Sequence, residues 1–219
     1  MNTVTSTERA LTVSAGLLAK GLVELCFPLS AEQQGLLVQY LVLLEKWNQV
    51  YNLTAIRDLT KMVGAHLLDS LSVIPHLSGE NVLDVGSGAG LPGIPLALLW
   101  PDTRVTLLDS NHKKAAFLRQ AVIELELKNV EVVNERVETW EPPRKFDLVI
   151  SRAFSDLAEF LRLAGKHVGA RGTIAAMKGV YPDEELAQIP AAYTLRTVVP
   201  LEIPGMPAAR HLILLEPAH

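Results

Sequence analysis

The chain has 219 residues, 49% of them hydrophobic and 20% charged, with a formal net charge of −4. That length supports one sizeable domain, or one with a small extension, and the hydrophobic content excludes an intrinsically disordered chain. The acidic balance argues against a generally basic nucleic-acid binder, so any RNA contact must rest on a local patch. A single cysteine, Cys26, rules out an intrachain disulfide framework and speaks against a cysteine zinc site, which fits a reducing cytoplasm. Glu8, Arg9, Lys20 and Glu24 interrupt the first apolar residues, so no signal peptide is expected. The longest uncharged run lies between Asp84 and Asp102, and its glycines and prolines make it a loop and not a membrane span. No metal site is expected.

Residues 1–6 read as a polar lead. Residues 8–26 have helical character, weakened by Gly16 and Gly21 and ended by Pro28. Ser30 with Gln33 forms a capping box, and a long helix follows to about residue 50. On it Leu37, Tyr40, Leu41, Leu44, Trp47 and Tyr51 make one apolar stripe, read as core. Asn48, Asn52 and Thr54 make the next turn polar. A further helix is predicted over residues 60–74, ending before Pro75, with His66 and Asp69 on one face. Their spacing suits an orienting hydrogen bond or a helix-surface pair better than a metal or catalytic pair.

The most informative stretch follows, NVLDVGSGAGLPG from Asn81 to Gly93. Val82, Leu83 and Val85 read as a buried strand. Gly86, Gly88, Gly90 and Gly93 make a loop that tolerates positive φ and close approach of a ligand. Pro92 and Pro95 begin a helix over residues 94–100. This is the ligand turn of a doubly wound α/β domain. Gly88 to Gly93 matches the dinucleotide pattern G-x-G-x-x-G, whereas Asp84 to Gly90 matches D-x-G-x-G-x-G of S-adenosylmethionine (SAM) methyltransferases. Charge separates the two. A pyrophosphate seeks a bare helix N-terminus and is repelled by a carboxylate at Asp84, while the sulfonium and ammonium of SAM are attracted by one. Asp84, Gly86, Gly88 and Gly90 are therefore candidate cofactor residues.

Arg104–Leu108 reads as the second strand. Asp109 ends it 23 residues after Gly86, near the distance at which nucleoside-binding folds place an acidic ribose acceptor; the alternative is a helix N-cap. A helix over residues 112–125 carries Lys113, Lys114 and Arg119, either a solvated face or part of an RNA footprint. Val130–Val133 is a third strand, and the loop after it, through Val137 and Glu138, should close over the adenine. Phe146–Ser151 is a fourth, buried strand, delivering Arg152, Ala153 and Phe154 to the crevice at the strand ends. A helix to about residue 166 follows, then a fifth strand over 173–177 ending at Lys178 and Gly179. A short helix spans 182–188. Strands over 193–203 and 210–216 form an antiparallel pair at the sheet edge, where Pro200, Pro204 and Pro207 are tolerated.

Several separated stretches now match one family: WNQVYNLTAIRD from Trp47, HLLDSL from His66, LDVGSGAGLPGIPLAL from Leu83, LLDS with KK and FLRQ between Leu107 and Gln120, RVE from Arg136, ISRAF from Ile150, Lys178-Gly179, and HLIL at His211. Together they resemble the RsmG (GidB) family of small-subunit rRNA guanine-N7 methyltransferases, over about residues 31–216. The resemblance implies a Rossmann-like class I SAM-dependent methyltransferase, α/β, with a mostly parallel seven-stranded sheet and an antiparallel edge strand. It implies a small N-terminal helical extension over 1–75 and a methyltransferase domain over 76–219. Gly86, Leu91, Val137, Glu138 and Arg152 would line the SAM site, with Asp109 on the ribose. Lys113, Lys114, Arg119 and Lys178 are the candidate substrate contacts. The substrate implied is one guanine in the decoding-region loop of 16S rRNA, within the 30S subunit or a precursor. The protein itself is expected to be a cytoplasmic monomer without membrane contact.

The chemistry agrees. Guanine N7 has a free lone pair and no proton to lose, so positioning can carry the reaction without a general base. An exocyclic-amine methyltransferase would resemble its kind in an Asn/Asp-Pro-Pro-aromatic motif where this chain has Ser151-Arg152-Ala153-Phe154, and a pyrimidine C5 enzyme needs a cysteine nucleophile, whereas Cys26 is far upstream. Arg152 is expected at the chemical end, holding the cofactor pocket or steering the target phosphate, unless it pairs with Asp84 or Asp109. Phe154 could stack on an extruded guanine or belong to the core. A small-molecule SAM methyltransferase, an NAD-dependent oxidoreductase and a non-catalytic binding module are the competing readings.

Overall fold

The computed structural model describes residues 6–152, 154 and 156–218. Of the polar lead expected over 1–6, residues 1–5 lie outside the described residues, as does Ala153 of the Ser151–Phe154 stretch, while Ser6 opens the first helix. Seven strands form one sheet: β1 (Asn81–Val85), β2 (Arg104–Leu108), β3 (Val130–Val133), β4 (Phe146–Ser151), β5 (Val168–Lys178), β6 (Tyr193–Leu201) and β7 (Arg210–Pro217). Their order across the sheet is β3-β2-β1-β4-β5-β7-β6. The β1–β5 pairings are parallel, and β7 runs antiparallel to both β5 and β6. The antiparallel strand thus lies one in from the edge, and β6, with Pro200 in it, forms the edge itself. The order turns at β1 and β4, so their C-terminal ends open the crevice where such sheets bind ligands.

Strand alternation divides the core in two. Val82, Leu107, Leu148, Ile150, Ala175 and Leu212 join one apolar cluster, while Leu83, Val85, Leu108, Val149, Ile174 and Ile213 join the other. The first face is covered by α5 (Gly93–Leu99) and α6 (His112–Glu124), and also by helices from the N-terminal region. These are α1 (Ser6–Glu24), α2 (Ala31–Tyr51), α3 (Leu59–Met62) and α4 (Asp69–Ser72). Leu18, Leu37, Tyr40 and Leu71 lie in the same cluster as Val82 and Ile94, so the N-terminal helices share the sheet's core on that side. The second face is covered by α7 (Leu157–Ala164) through Leu157, Phe160 and Leu161. The short α8 (Asp183–Leu186) follows β5.

Two expectations change here. The stretch expected as one helix over 60–74 is broken: a π-helical turn, Val63–Leu68, separates α3 from α4, with the Asp69 N–H donating to the Gly64 carbonyl. The stripe on α2 is core only as far as Trp47. Tyr51 is exposed and rests on the Trp47 ring at a centroid distance of 5.3 Å, because the helix there runs past the end of the packed face. The Ser30 capping box forms as expected, Ser30 Oγ accepting from Gln33 N and Gln33 Oε1 accepting from Ser30 N.

Candidate active site

The glycine loop is a backbone device. Gly86, Gly88 and Gly90 have φ of 69°, 59° and 87°, where an L side chain is strained. The Gly86 and Ser87 N–H groups donate to the Leu108 carbonyl at 2.8 and 3.1 Å, tying the loop to the end of β2. A Cβ on Gly93 would lie 2.2 Å from Leu107 Cδ2 and 2.6 Å from Asp84 Oδ2, so α5 approaches β1 as closely as glycine permits. Tyr40 of α2, fully buried, donates its hydroxyl to the Ala89 carbonyl at 2.5 Å. Burial pushes that phenol far above its ordinary range, so it remains a donor.

Asp84 stands behind this loop. It is fully buried, and its Oδ2 accepts from Gly93 N at 3.0 Å. The alternation of β1 turns its side chain toward α5 and away from the crevice, so it lines neither cavity described below. Burial raises its pKa to about 7, against the lowering influence of the Gly93 and Ser87 hydrogen bonds. This corrects the expectation that its charge meets a cofactor directly. The same bond weighs against a dinucleotide: a carboxylate of the chain already occupies an N-terminal N–H of α5 that a pyrophosphate would need.

Asp109 reaches forward where Asp84 does not. Its Oδ2 accepts from Gly88 N at 2.9 Å and its Oδ1 from Asn111 N at 2.8 Å. The cap of α6 is Asn111, whose Oδ1 accepts from Lys113 N and Lys114 N, so the N-cap alternative for Asp109 is set aside. Each carboxylate oxygen keeps a second lone pair. Asp109 lines a cavity of about 180 Å³ with Gly86, Val137, Glu138 and Phe154, gathered from the loops after β1, β2, β3 and β4. Leu91 is buried in the core, and Gly88 and Gly90 hold the loop's shape behind the cavity wall.

A second cavity of about 400 Å³ opens on the other side of the β4 end. Arg152 lines it, Ala55, Ile56, Met177 and Leu201 give it apolar walls, and Asp69 lies at its base. Arg152 pairs with neither Asp84 nor Asp109. Its Nη1 donates to Asp69 Oδ2 at 3.1 Å and to the Ala65 carbonyl at 3.2 Å. Arg210 Nε donates to Asp69 Oδ1 at 3.1 Å, so one buried carboxylate holds two guanidinium groups. His66 is oriented from both nitrogens: Nδ1 donates to the Ala65 carbonyl at 2.9 Å and Nε2 accepts from Thr54 Oγ1 at 2.9 Å. Burial and the Arg152 charge push its pKa down to about 4, so the ring is neutral near pH 7. Asp69 and Arg210 were not singled out as site residues by sequence; for Asp69 the signals were the His66–Asp69 spacing and the HLLDSL stretch, and Arg210 gave none.

The basic residues are dispersed. Lys114 Nζ lies 3.9 Å from Asp109 Oδ2, on the first cavity's side. Lys113 and Arg119 are exposed and lie about 120° apart around α6. Lys178 lines the second cavity with Arg152 and Arg210, but it is nearly buried and paired with Glu185 of α8 at 2.6 Å. Phe154 stacks on Phe160 at 5.0 Å and walls the first cavity, which removes it from the second. Among the described residues no cluster could hold a metal ion, and no helix is long and apolar enough to cross a membrane.

Comparison with known proteins gives a consistent result. Residues 33–213 match the family described as "GidB: rRNA small subunit methyltransferase G". A Laribacter hongkongensis protein named Ribosomal RNA small subunit methyltransferase G is 57% identical over 198 residues, covering 90% of this chain and 96% of its own. One of the same name from Nitrosospira multiformis is 53% identical over 209 residues, covering 92% and 96%. Among solved structures, the glycopeptide N-methyltransferase MtfA complexed with SAM has a TM-score of 0.60 at 12% identity, covering 70% of this chain and 88% of that one, a likeness of fold.

Proposed function

The chain belongs to the GidB family of small-subunit ribosomal RNA methyltransferases, and from that premise we propose that it methylates N7 of one guanine in the decoding-region loop of 16S rRNA, with SAM as donor. The observation that supports the cofactor site is the first cavity, which gathers Gly86, Asp109, Val137 and Glu138 from separate loops into one crevice. Its chemistry fits an adenosine: Val85, Leu108, Val137 and Phe154 offer apolar walls for the base, and Asp109 keeps lone pairs for ribose hydroxyls. Bound there, SAM supplies a methyl group on a positively charged sulfur.

The residues of the chain then act by positioning. Asp109 holds both the glycine loop and the ribose, a charge-assisted contact of about 1.5–3 kcal/mol. Asp84 fixes α5 against β1 and so supports the loop from behind. Val137 and Glu138 close the adenine end, and Arg152 borders the acceptor side. N7 has no proton to lose, so no side chain is required as a base, and aligning the acceptor lone pair with the carbon–sulfur bond is the main task. With SAM held there, the carbon–sulfur bond would be exchanged for a carbon–N7 bond, leaving S-adenosylhomocysteine and N7-methylguanosine.

Helices α1–α4, taken as the extension over 1–75, would cover the core face and flank the acceptor cavity. The net charge of −4 favours a substrate in which ribosomal proteins add contacts, so the 30S subunit or a precursor is proposed over naked RNA. Lys113 and Arg119 would add local phosphate contacts, with a monomer acting in the cytoplasm. The test is incubation with labelled SAM and unmodified small subunits, followed by cleavage mapping of N7-methylguanine. A single site in the decoding-region loop is expected. SAM binding without transfer to the subunit overturns the reading.

A further inference from the structure

We propose that the second cavity is the pocket for the extruded acceptor purine, and that Asp69 is a positioning residue that aims Arg152 and Arg210 at the oxygen on purine C6. The inference rests on the function proposed above and adds where the base lies and how guanine is told from adenine.

Arg152 and Arg210 come from different strands' ends, one following β4 and one opening β7. Among the described residues, each uses two of its five N–H donors on protein partners: Arg152 on Asp69 and Ala65, Arg210 on Asp69 and Ala209. Three donors on each are left for a ligand, and both side chains are 28% exposed at the cavity. Asp69, only 3% exposed, bridges them at 3.1 Å on each side. One carboxylate between two guanidinium groups leaves a single surplus positive charge, and His66 beside them is neutral.

The walls select a base over a phosphate. Ala55, Ile56, Met177 and Leu201 present apolar surface that would not compensate the desolvation of a phosphate. A purine face suits these walls, and His211 adds the one aromatic ring among the lining residues besides the neutral His66. Guanine presents an acceptor oxygen at C6, where adenine presents an amino donor that would meet the arginine donors head-on. N7 must stay free for the methyl group, so the arginines read the C6 oxygen alone. The surplus charge also repels the cationic N7-methylated product, which favours its release.

The test uses small subunits reconstituted with either inosine or 2-aminopurine at the target position. Both bases keep N7, but only inosine keeps the C6 oxygen. Wild-type protein should methylate the inosine subunit about 100-fold faster than the 2-aminopurine one. Arg210→Lys should narrow that ratio to about 10-fold or less, with the SAM dissociation constant unchanged by calorimetry. Asp69→Asn should narrow it similarly; since its carboxylate is buried, thermal unfolding is followed in parallel, and Arg210→Lys alone decides the matter if Asp69→Asn does not fold. A merely structural role would lower both rates equally, and that outcome overturns the proposal. So does a loss of SAM affinity in Arg210→Lys, which would move the pair to the cofactor site. A wild-type protein that binds SAM yet methylates no ribosomal guanine overturns the functional reading and this inference with it.

Discussion

The two cavities flanking the β4 end are built from different materials. The first is shaped by backbone: three positive-φ glycines, N–H groups donated to Leu108 and Asp109, and a helix packed against β1 at Gly93. The second is shaped by side chains: Asp69 between Arg152 and Arg210, and His66 held by Thr54. A backbone site is contiguous in sequence and tolerates no added carbon. A side-chain site is assembled from distant positions and fails by losing charge or orientation, not by steric exclusion. Damage to the first should therefore appear in folding and SAM affinity, and damage to the second in choice and rate of acceptor.

The largest expected effect tests the steric half. Gly93→Ala places a methyl group against Leu107 and Asp84, and should cost about 3 kcal/mol, or roughly 10 °C in Tm for a chain of this size, together with SAM binding. An unchanged Tm would mean that the approach of α5 to β1 is not tight. Asp109→Ala should weaken SAM binding about 10- to 100-fold by calorimetry, with the loss of one charge-assisted contact and of the Gly88 clasp. If affinity holds, the ribose role is gone and the crevice is backbone alone.

Titration separates the regions more finely. In Asp84 the folded pKa is raised to about 7, so the native state holds a proton that the unfolded chain releases from about pH 4 upward. Its contribution to stability is present at low pH and is lost as pH rises to 7. In His66 the folded pKa is lowered to about 4, so the unfolded chain takes up a proton below about pH 6.5 that the native state refuses. Its contribution is present at neutral pH and is lost as pH falls. The two slopes oppose one another between pH 4 and 6.5. Compared with the wild type, Asp84→Asn should gain stability with rising pH in this window, and His66→Gln should lose it, each by at most about 1.4 kcal/mol per pH unit in urea titrations. Parallel profiles for all three proteins would show that neither group is desolvated as the structure has it. The smallest effect is Tyr40→Phe, which removes the hydrogen bond from α2 to Ala89 and should cost about 1 kcal/mol with transfer to the subunit intact.

Legibility follows the same division. Asp84 through Gly93 announces its loop, because glycine spacing and a terminating strand are local signals. The strand at Val82 and Leu83, the capping box at Ser30 and the antiparallel pairing of β6 with β7 are also readable, since each depends on neighbours or on period-two alternation. The π turn at Val63–Leu68 is not, because i to i+5 bonding leaves no periodic trace over six residues. β5 begins at Val168, five residues before the expected start, because Val168 pairs with Phe146 across a register shift that no local pattern encodes.

One contiguous stretch was enough for the α/β class and the glycine loop, and several separate short stretches together for the family, because these rest on backbone demands that only particular side chains meet. Where the charges go is a matter of packing. Asp84 faces α5 because strand alternation turns it there, Lys178 is taken by Glu185, and Asp69, Arg152 and Arg210 meet although 83 and 141 residues separate the first from the other two. Charge pairing in a low-dielectric base depends on distances of about 3 Å, and those distances are set by how the N-terminal helices pack on the sheet.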